Sequence, residues 1–448
     1  MKLISTLFSK PSFGICFMSI LAVWILHITT PEYLKYWYIM IAIITMNTVL
    51  YRPIKELYPN KLTVCLFHSF YIIFFGLVLS IGLGATIVPY SDWNPFFRAI
   101  ITSTTISFML LSQPAIGLLG LGVIHSIAKK KHGKNLSTGT RKIYSCLSLG
   151  MFIVLFSCYM IGVFYGKKHI VVRHSNIEIH NLPSSLDKYR IVLFSDLHAG
   201  SMNDAQVVEC MKDSINSLQP DMVVYAGDIV TLCTKEIEPF INTLRGIKAT
   251  DGVFAVLGNH DYSRYPHFPS AEARTADSLM LRSVITDSLG WTLLNDEHCL
   301  IIRNNDSLVV TGSQYIGLPS KSKFKLFGDN PYSYGNLEKT LKNTDGESPV
   351  IFITHNPVVW SREVIQKYPF VNLTLSGHTH AGQMGIYKKK YQKPQQAKYD
   401  SKTKAGLYQY NDQYLYISSG IGTSAMHSRF AIFPEVTLIT LHQQKAQK

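Results

Sequence analysis

Five apolar runs crowd the first 165 residues, at 12–29, 34–51, 64–88, 99–128 and 144–165, and Lys35 at a boundary is the only Asp, Glu, Lys or Arg inside any of them. An α-helix rises 1.5 Å per residue, so about 20 uncharged residues cross the ~30 Å of hydrocarbon in a bilayer. In that medium a single segment must satisfy its own backbone N–H and C=O groups, which a helix does. We therefore expect an N-terminal all-α multi-pass membrane region of five helices over residues 1–166. The fourth run is longer than needed and carries Pro114, which predicts a kink or tilt. No small-x-small cleavage site follows the first run, so it reads as an anchor.

Charge supports the same reading. Residues 1–165 hold 13 Lys and Arg against Glu32, Glu56 and Asp92, which accounts for +10 of the chain's net +14. This excess sits in short loops between apolar runs, so the lipid bilayer is the expected partner and no nucleic-acid partner is expected. Eleven of these charges fall on one face, in the N-terminal arm and in loops 52–61 and 129–142, with only Lys35 and Arg98 on the other. Lys and Arg are retained on the cytoplasmic side. A cytoplasmic N-terminus and five crossings put the rest of the chain on the outer face of the cell membrane; an even helix count would put it on the cytoplasmic face. Four cysteines lie in the apolar runs, and Cys210, Cys233 and Cys299 form neither a disulfide framework nor a Cys-x-x-Cys metal site.

From residue 188 the pattern changes. Short strands at 189–195, 222–226 and 253–257 alternate with amphipathic stretches at 204–218 and 236–246, and further strands follow at 308–312, 350–354, 371–375, 406–410, 414–418 and 436–441. This predicts an α/β domain with a mixed sheet over 188–448, reached through a linker and first strand at 167–187. Ligands of such domains collect where loops leave the C-terminal ends of strands.

Those loops carry one kind of atom. They are SDLH with Asp196 and His198, AGD with Asp228, LGNHDY with Asn259, His260 and Asp261, the residue His355, and GHTH with His378 and His380. Any one of them is explained by turn or capping chemistry. Five in order, each at a strand end, point to a metal site. Imidazole nitrogen and carboxylate or amide oxygen, without thiolate, suit Mn, Fe, Zn or Co. Even seven of these nine as ligands exceed one shell that keeps positions open, so two divalent ions bridged by Asp228 fit better.

The ordered set SDLH, GD, GNHD, H and GHTH resembles the calcineurin-like metallophosphoesterase family over roughly residues 189–441, and the apolar region before it is similar to the family's membrane-anchored branch. The resemblance implies mixed β-sheets sandwiched by helices. It implies one ion on Asp196, His198, Asp228 and His380 and a second on Asp228, Asn259, His355 and His378. It also implies a catalytic His260 that stabilises phosphoryl oxygens or protonates the leaving group, with Asp261 orienting its ring. Asn259, His260 and Arg429 would meet the substrate, although a surface salt bridge is the ordinary reading of such an Arg.

The implied reaction is hydrolysis of a phosphate monoester, diester or pyrophosphate by a hydroxide bridging the ions. A membrane anchor suggests a lipid-linked substrate. The seven lysines of 388–404 read as a solvated loop, with a lip for anionic headgroups as the alternative. A non-catalytic metal-binding sensor or scaffold is the competing function. Against it, every ligand position and His260 are present, and apart from Lys35 the ionisable groups weighed in the spanning runs are His27, His68 and His125.

Overall fold

The computed structural model describes residues 118–444 except 119–120, 123, 135–136, 203, 267, 318–331, 343, 345–346, 386–404 and 425–426. The expected spans 12–29, 34–51, 64–88 and most of 99–128, together with the lysine-rich run 388–404, lie outside the described residues. The chain divides into two compact units, residues 1–93 with 100–160 and residues 94–99 with 161–448.

The main described element of the first unit is helix α1 (Thr138–Phe164), which contains most of the fifth apolar run. Its 27 residues reach about 40 Å at 1.5 Å each. With the turn that follows, it forms an apolar segment Thr138–Lys168 with a mean hydropathy of 2.2 in its best window. Among the described residues it is the one helix long and apolar enough to cross a membrane. Leu147, Ile153 and Val154 are exposed along it.

The second unit is built on two six-stranded sheets. The first has the order β1 (Val171–Ile179), β12 (Glu435–Gln443), β2 (Arg190–Phe194), β3 (Met222–Tyr225), β4 (Val253–Ala255), β5 (Thr292–Leu293). The second has the order β10 (Gly406–Tyr410), β11 (Gln413–Ile417), β9 (Val371–Ser376), β8 (Val350–Ile353), β7 (Asp306–Gly312), β6 (Glu297–Arg303). Strands β2 to β5 run parallel, as do β7, β8, β9 and β11, whereas β12, β6 and β10 each make an antiparallel pair. Both sheets are mixed, as expected.

The side-chain period of two explains the apolar strings in the sequence. Leu193, Val224 and Phe254 of the first sheet share a core with Val310, Ile351 and Leu375 of the second. The alternate residues Val192, Val223 and Ala255 face outward onto Val208 and Met211 of α2 (Ala205–Ser217) and Leu281 of α3 (Ala271–Ser283). On the far side of the second sheet, Phe352, Leu415 and Ile417 pack against Trp360 and Val364. Strands covered on both faces read as near-continuous hydrophobic runs.

Two departures from the expected elements have local causes. The stretch 236–246 is not one helix: a 3-10 run, Thr234–Phe240, precedes a short α-helix, Ile241–Arg245. Pro239 has no N–H for the α-helical ladder. Strand β6 and helix α3 were not foreseen. The β6–β7 hairpin turns at Asn304 and Asn305, with φ of 48° and 70°, the paired left-handed geometry of a type I′ turn.

Candidate metal centre

The site lies at the C-terminal ends of β2, β3, β4, β8 and β9. Each strand delivers an apolar residue to a core and then breaks sharply. Asp196, His198, Asp228, His378 and His380 all have positive φ, at 51°, 43°, 60°, 73° and 48°. Left-handed backbone is unfavourable for non-glycine residues and clusters where function requires it. Gly227, at φ 93°, needs its lack of a side chain, because a Cβ there would stand 2.7 Å from both the Gly258 amide nitrogen and His355 Nδ1.

Asp228 is the centre of the group. Its Oδ2 lies 3.0 Å from His355 Nε2 and 3.6 Å from His198 Nε2. Asp196 Oδ1 lies 3.5 Å from His380 Nε2 and 4.0 Å from His355 Nε2. Imidazole nitrogens face each other in two pairs, His198 Nε2 with His380 Nε2 at 3.1 Å and His355 Nε2 with His378 Nδ1 at 3.2 Å. Three groups of potential donor atoms each fit within 4.8 Å: Asp196, His198 and His380; Asp228, His355 and His378; and His198, Asp228 and His260. The first two fall within the two ion shells expected from the sequence. The third brings in His260, which the sequence reading kept off the metal.

Second partners aim these rings. His355 Nδ1 donates to Ala226 O at 2.7 Å, which leaves Nε2 pointing at Asp228. His260 Nδ1 donates to Thr231 O at 2.7 Å, while its backbone N–H donates to Asp228 Oδ1 at 2.8 Å. Asp196 accepts from the Ser195 hydroxyl and the His378 N–H.

The electrostatics suit cations. Burial, reinforced by neighbouring positive groups, lowers His198 and His378 to about 3 and His380 well below its ordinary value. Imidazole binds metal in its neutral form. Burial also opposes a charge on His355, but the Asp228 and Asp196 carboxylates outweigh it and hold that ring up at about 9. Burial raises Asp196 to about 6, with the His355 charge opposing and Asp228 assisting. Burial works the same way on Asp228, yet His355 and His260 overcome it and keep that carboxyl ionised.

The residues present fit divalent ions. Asn259 Oδ1 is buried without a hydrogen-bond partner, while its Nδ2 donates to Tyr265 Oη at 2.8 Å. Two nitrogens bound at ~2.1 Å and at right angles to one ion stand ~3 Å apart, the spacing of both imidazole pairs. Asp196 and Asp228 are each almost fully buried, where a charge needs a compensating partner.

Two sequence expectations are corrected. Asp261 does not orient the His260 ring. Its carboxylate accepts the backbone N–H groups of Asp228, Ile229, Val230 and Gly258, so it ties the β3 and β4 loops together. Arg429 is not the surface residue of the ordinary reading. It is wholly buried, donating from Nε to Gly422 O and from Nη2 to Ser419 O, both at 2.8 Å, with Nη2 3.3 Å from His380 Nδ1. The chain after β11 folds over Asp196 and turns those carbonyls inward, which gives the guanidinium an internal partner set. Tyr265 went unnoticed in the sequence, where nothing marks it. Its ring stacks on His260 with centroids 4.2 Å apart.

Residues 189–382 match the family model for calcineurin-like phosphoesterases. An uncharacterized metallophosphoesterase of Helicobacter pylori is 24% identical over 404 residues, covering 90% of this chain and 96% of the relative. A Danio rerio transmembrane protein with metallophosphoesterase domain is 27% identical over 271 residues, 60% of this chain and 56% of that one. A UDP-2,3-diacylglucosamine pyrophosphatase of Chlamydia muridarum is 27% identical over 218 residues, 44% of this chain and 65% of that one.

Proposed function

We propose that the chain is a membrane-anchored calcineurin-like metallophosphoesterase, a metal-dependent phosphoester hydrolase whose two divalent ions would share Asp228. One ion would be held by Asp196, His198, Asp228 and His380, the other by Asp228, Asn259, His355 and His378. The observation that carries this reading is the convergence of five strand-end loops on Asp228, with a facing imidazole pair in each ligand set.

Two divalent ions, when bound, acidify a water toward neutral pH and neutralise charge on a phosphoryl group. The chain's own groups do the rest. Asp196 and Asp228 supply the buried negative charge, and Asn259 supplies its free amide oxygen. His260 holds Nδ1–H against Thr231 O, so Nε2 is the atom that carries a proton to the leaving oxygen or binds a phosphoryl oxygen. Asp261 keeps Asp228 and Asn259 in register through the backbone.

Membrane anchoring is supported by the five apolar runs, by the apolar exposed helix α1 and by the Danio rerio relative, whose name specifies a transmembrane protein. We assign residues 1–166 to a multi-pass region, 167–187 to a linker with the first strand and 188–448 to the phosphoesterase domain on the outer face. A lipid-linked phosphate ester or pyrophosphate is the favoured substrate class, supported by the Chlamydia relative, whose name specifies a diacylated sugar nucleotide.

The test uses the full chain in detergent, with bis(p-nitrophenyl) phosphate and p-nitrophenyl phosphate as probes and Mn, Zn, Fe or Mg added. Metal-dependent turnover that disappears in Asp228→Asn is the expected result. Binding of two ions without turnover on either probe, or on a diacylated sugar nucleotide added as a third, would favour the sensor or scaffold reading instead.

A further inference from the structure

We propose that Tyr265 is a positioning residue that sets a metal ligand and the proton-carrying ring together through one side chain. This rests on the reading of Asn259 as a ligand and His260 as the proton carrier. A carboxamide has a donor end and an acceptor end of nearly the same shape, and only the oxygen suits a cation. Tyr265 Oη takes the Asn259 Nδ2–H at 2.8 Å, which turns Oδ1 away into a buried position without any hydrogen-bond partner. Freed from the phenol, the amide can rotate and present its NH2 end to the ion.

The same phenol ring lies on the His260 imidazole at 4.2 Å between centroids and 24° between planes. Among the described residues the His260 ring makes one hydrogen bond, Nδ1 to Thr231 O, and an edge-to-face contact with His198 at 4.8 Å between centroids, and a single hydrogen bond leaves a ring able to swing about it. A stacked aromatic face closes off that swing. His260 is thus held at one edge by a carbonyl and on one face by Tyr265.

Tyr265 can do this only if it is itself fixed. The neighbouring Arg264 places its guanidinium 3.6 Å from the centre of the Tyr332 ring, and Tyr262 stacks on Tyr334 with centroids 3.7 Å apart. Residues 262–264 are therefore clamped onto 332–334, and Tyr265 follows them with about a third of its surface exposed. A residue so placed can be replaced without opening a core.

Tyr265→Phe and Tyr265→Leu in the full chain test the two contacts separately, with Mn2+ binding followed by electron paramagnetic resonance of the free ion. Tyr265→Phe keeps the stack and loses the amide bond, so the second Mn2+ should bind about tenfold more weakly, the usual effect of removing a group that orients a ligand. Tyr265→Leu loses both contacts. Its kcat for glycerol 2-phosphate, whose alkoxide leaving group needs a proton, should at saturating Mn2+ fall at least tenfold below that of Tyr265→Phe, with KM shifting far less, an asymmetry that a general loss of stability would not produce. Undiminished Mn2+ affinity in Tyr265→Phe, or equal kcat in the two variants, overturns the proposal. Asn259→Ala separates the levels: if it weakens the second ion while Tyr265→Phe does not, only the Tyr265 role fails. If Asn259→Ala also leaves that ion in place, the ligand assignment fails and the proposal with it.

Discussion

Asp261→Asn separates two roles for one carboxylate, ring orientation and backbone tethering. Oδ1 of Asp261 accepts Ile229 N–H at 2.9 Å and Val230 N–H at 3.2 Å, while Oδ2 accepts Asp228 N–H and Gly258 N–H, both at 2.8 Å. Asparagine keeps one oxygen. Whichever way the amide turns, its NH2 faces two backbone donors, and those two N–H groups lose their partner in a buried site. Each such loss costs about 1–3 kcal/mol. Burial and then the Asp228 carboxylate already push Asp261 upward, which weakens the charged form and argues for the lower half of that range. A total of about 3 kcal/mol corresponds to a Tm roughly 6–12 °C lower in a domain of this size. Because the loops carrying Asp228 and Asn259 are the ones released, kcat should also fall about 100-fold, the scale of a 1 Å misplacement. Near-ultraviolet circular dichroism during heating, with turnover measured on the same preparation, gives both numbers. A reduced kcat with a Tm unchanged to within about 2 °C would refute tethering and restore ring orientation as the role.

Other substitutions follow from the same geometry. A Cβ at Gly258 would stand 2.1 Å from Asp228 Oδ1, so Gly258→Ala should bind fewer than two Mn2+ per chain; normal stoichiometry and turnover would contradict the packing. Arg429→Lys should fail to rescue the loss in Arg429→Met, because an ammonium cannot reproduce the guanidinium's fixed set of bonds to two carbonyls beside His380; wild-type kcat in Arg429→Lys would show that charge alone suffices. In the metal-free protein His355 is held at about 9 against an ordinary 6.5. Its proton is therefore present at pH 7 and must leave on metal binding, so Mn2+ affinity should fall about tenfold per unit as pH drops below 9. Calorimetry in buffers of different ionisation heat should find proton release, and none would contradict the assignment. The same shift stabilises the metal-free fold fully below about 6.5, and that contribution is lost as pH rises through about 9. His260→Ala should slow hydrolysis of an alkyl ester more than of a nitrophenyl ester, whose leaving group needs no proton; equal losses would remove the acid role.

Much of the phosphoesterase domain was readable because the central strands of both sheets are buried on both faces. Residues 222–226 and 350–353 are apolar without interruption, and the change to glycine or polar residues after each string marks the point where the chain leaves the core. The strand-end positions of Asp196, Asp228, Asn259, His355, His378 and His380 could be seen that way, since local sequence dictates them. What failed depends on contacts across the chain. Asp261 sits beside His260 in sequence, yet its carboxylate points back to the β3 loop some 30 residues earlier. Arg429 looks like a surface side chain until the 419–422 carbonyls are seen to surround it. Strand β6 escaped notice because Glu297 and Arg303 bound it and because Leu300 and Ile302 face outward at the sheet's edge, blurring the alternation.

The central claim is that Asp228 is shared by two ions. Titrating the metal-free full chain with Mn2+ and recording the electron paramagnetic resonance spectrum of the bound ions tests it directly. A shared Asp228 predicts two Mn2+ per chain with a spin-coupled spectrum, and loss of that coupling in Asp228→Asn. One ion per chain, or two giving separate uncoupled six-line spectra, would contradict it.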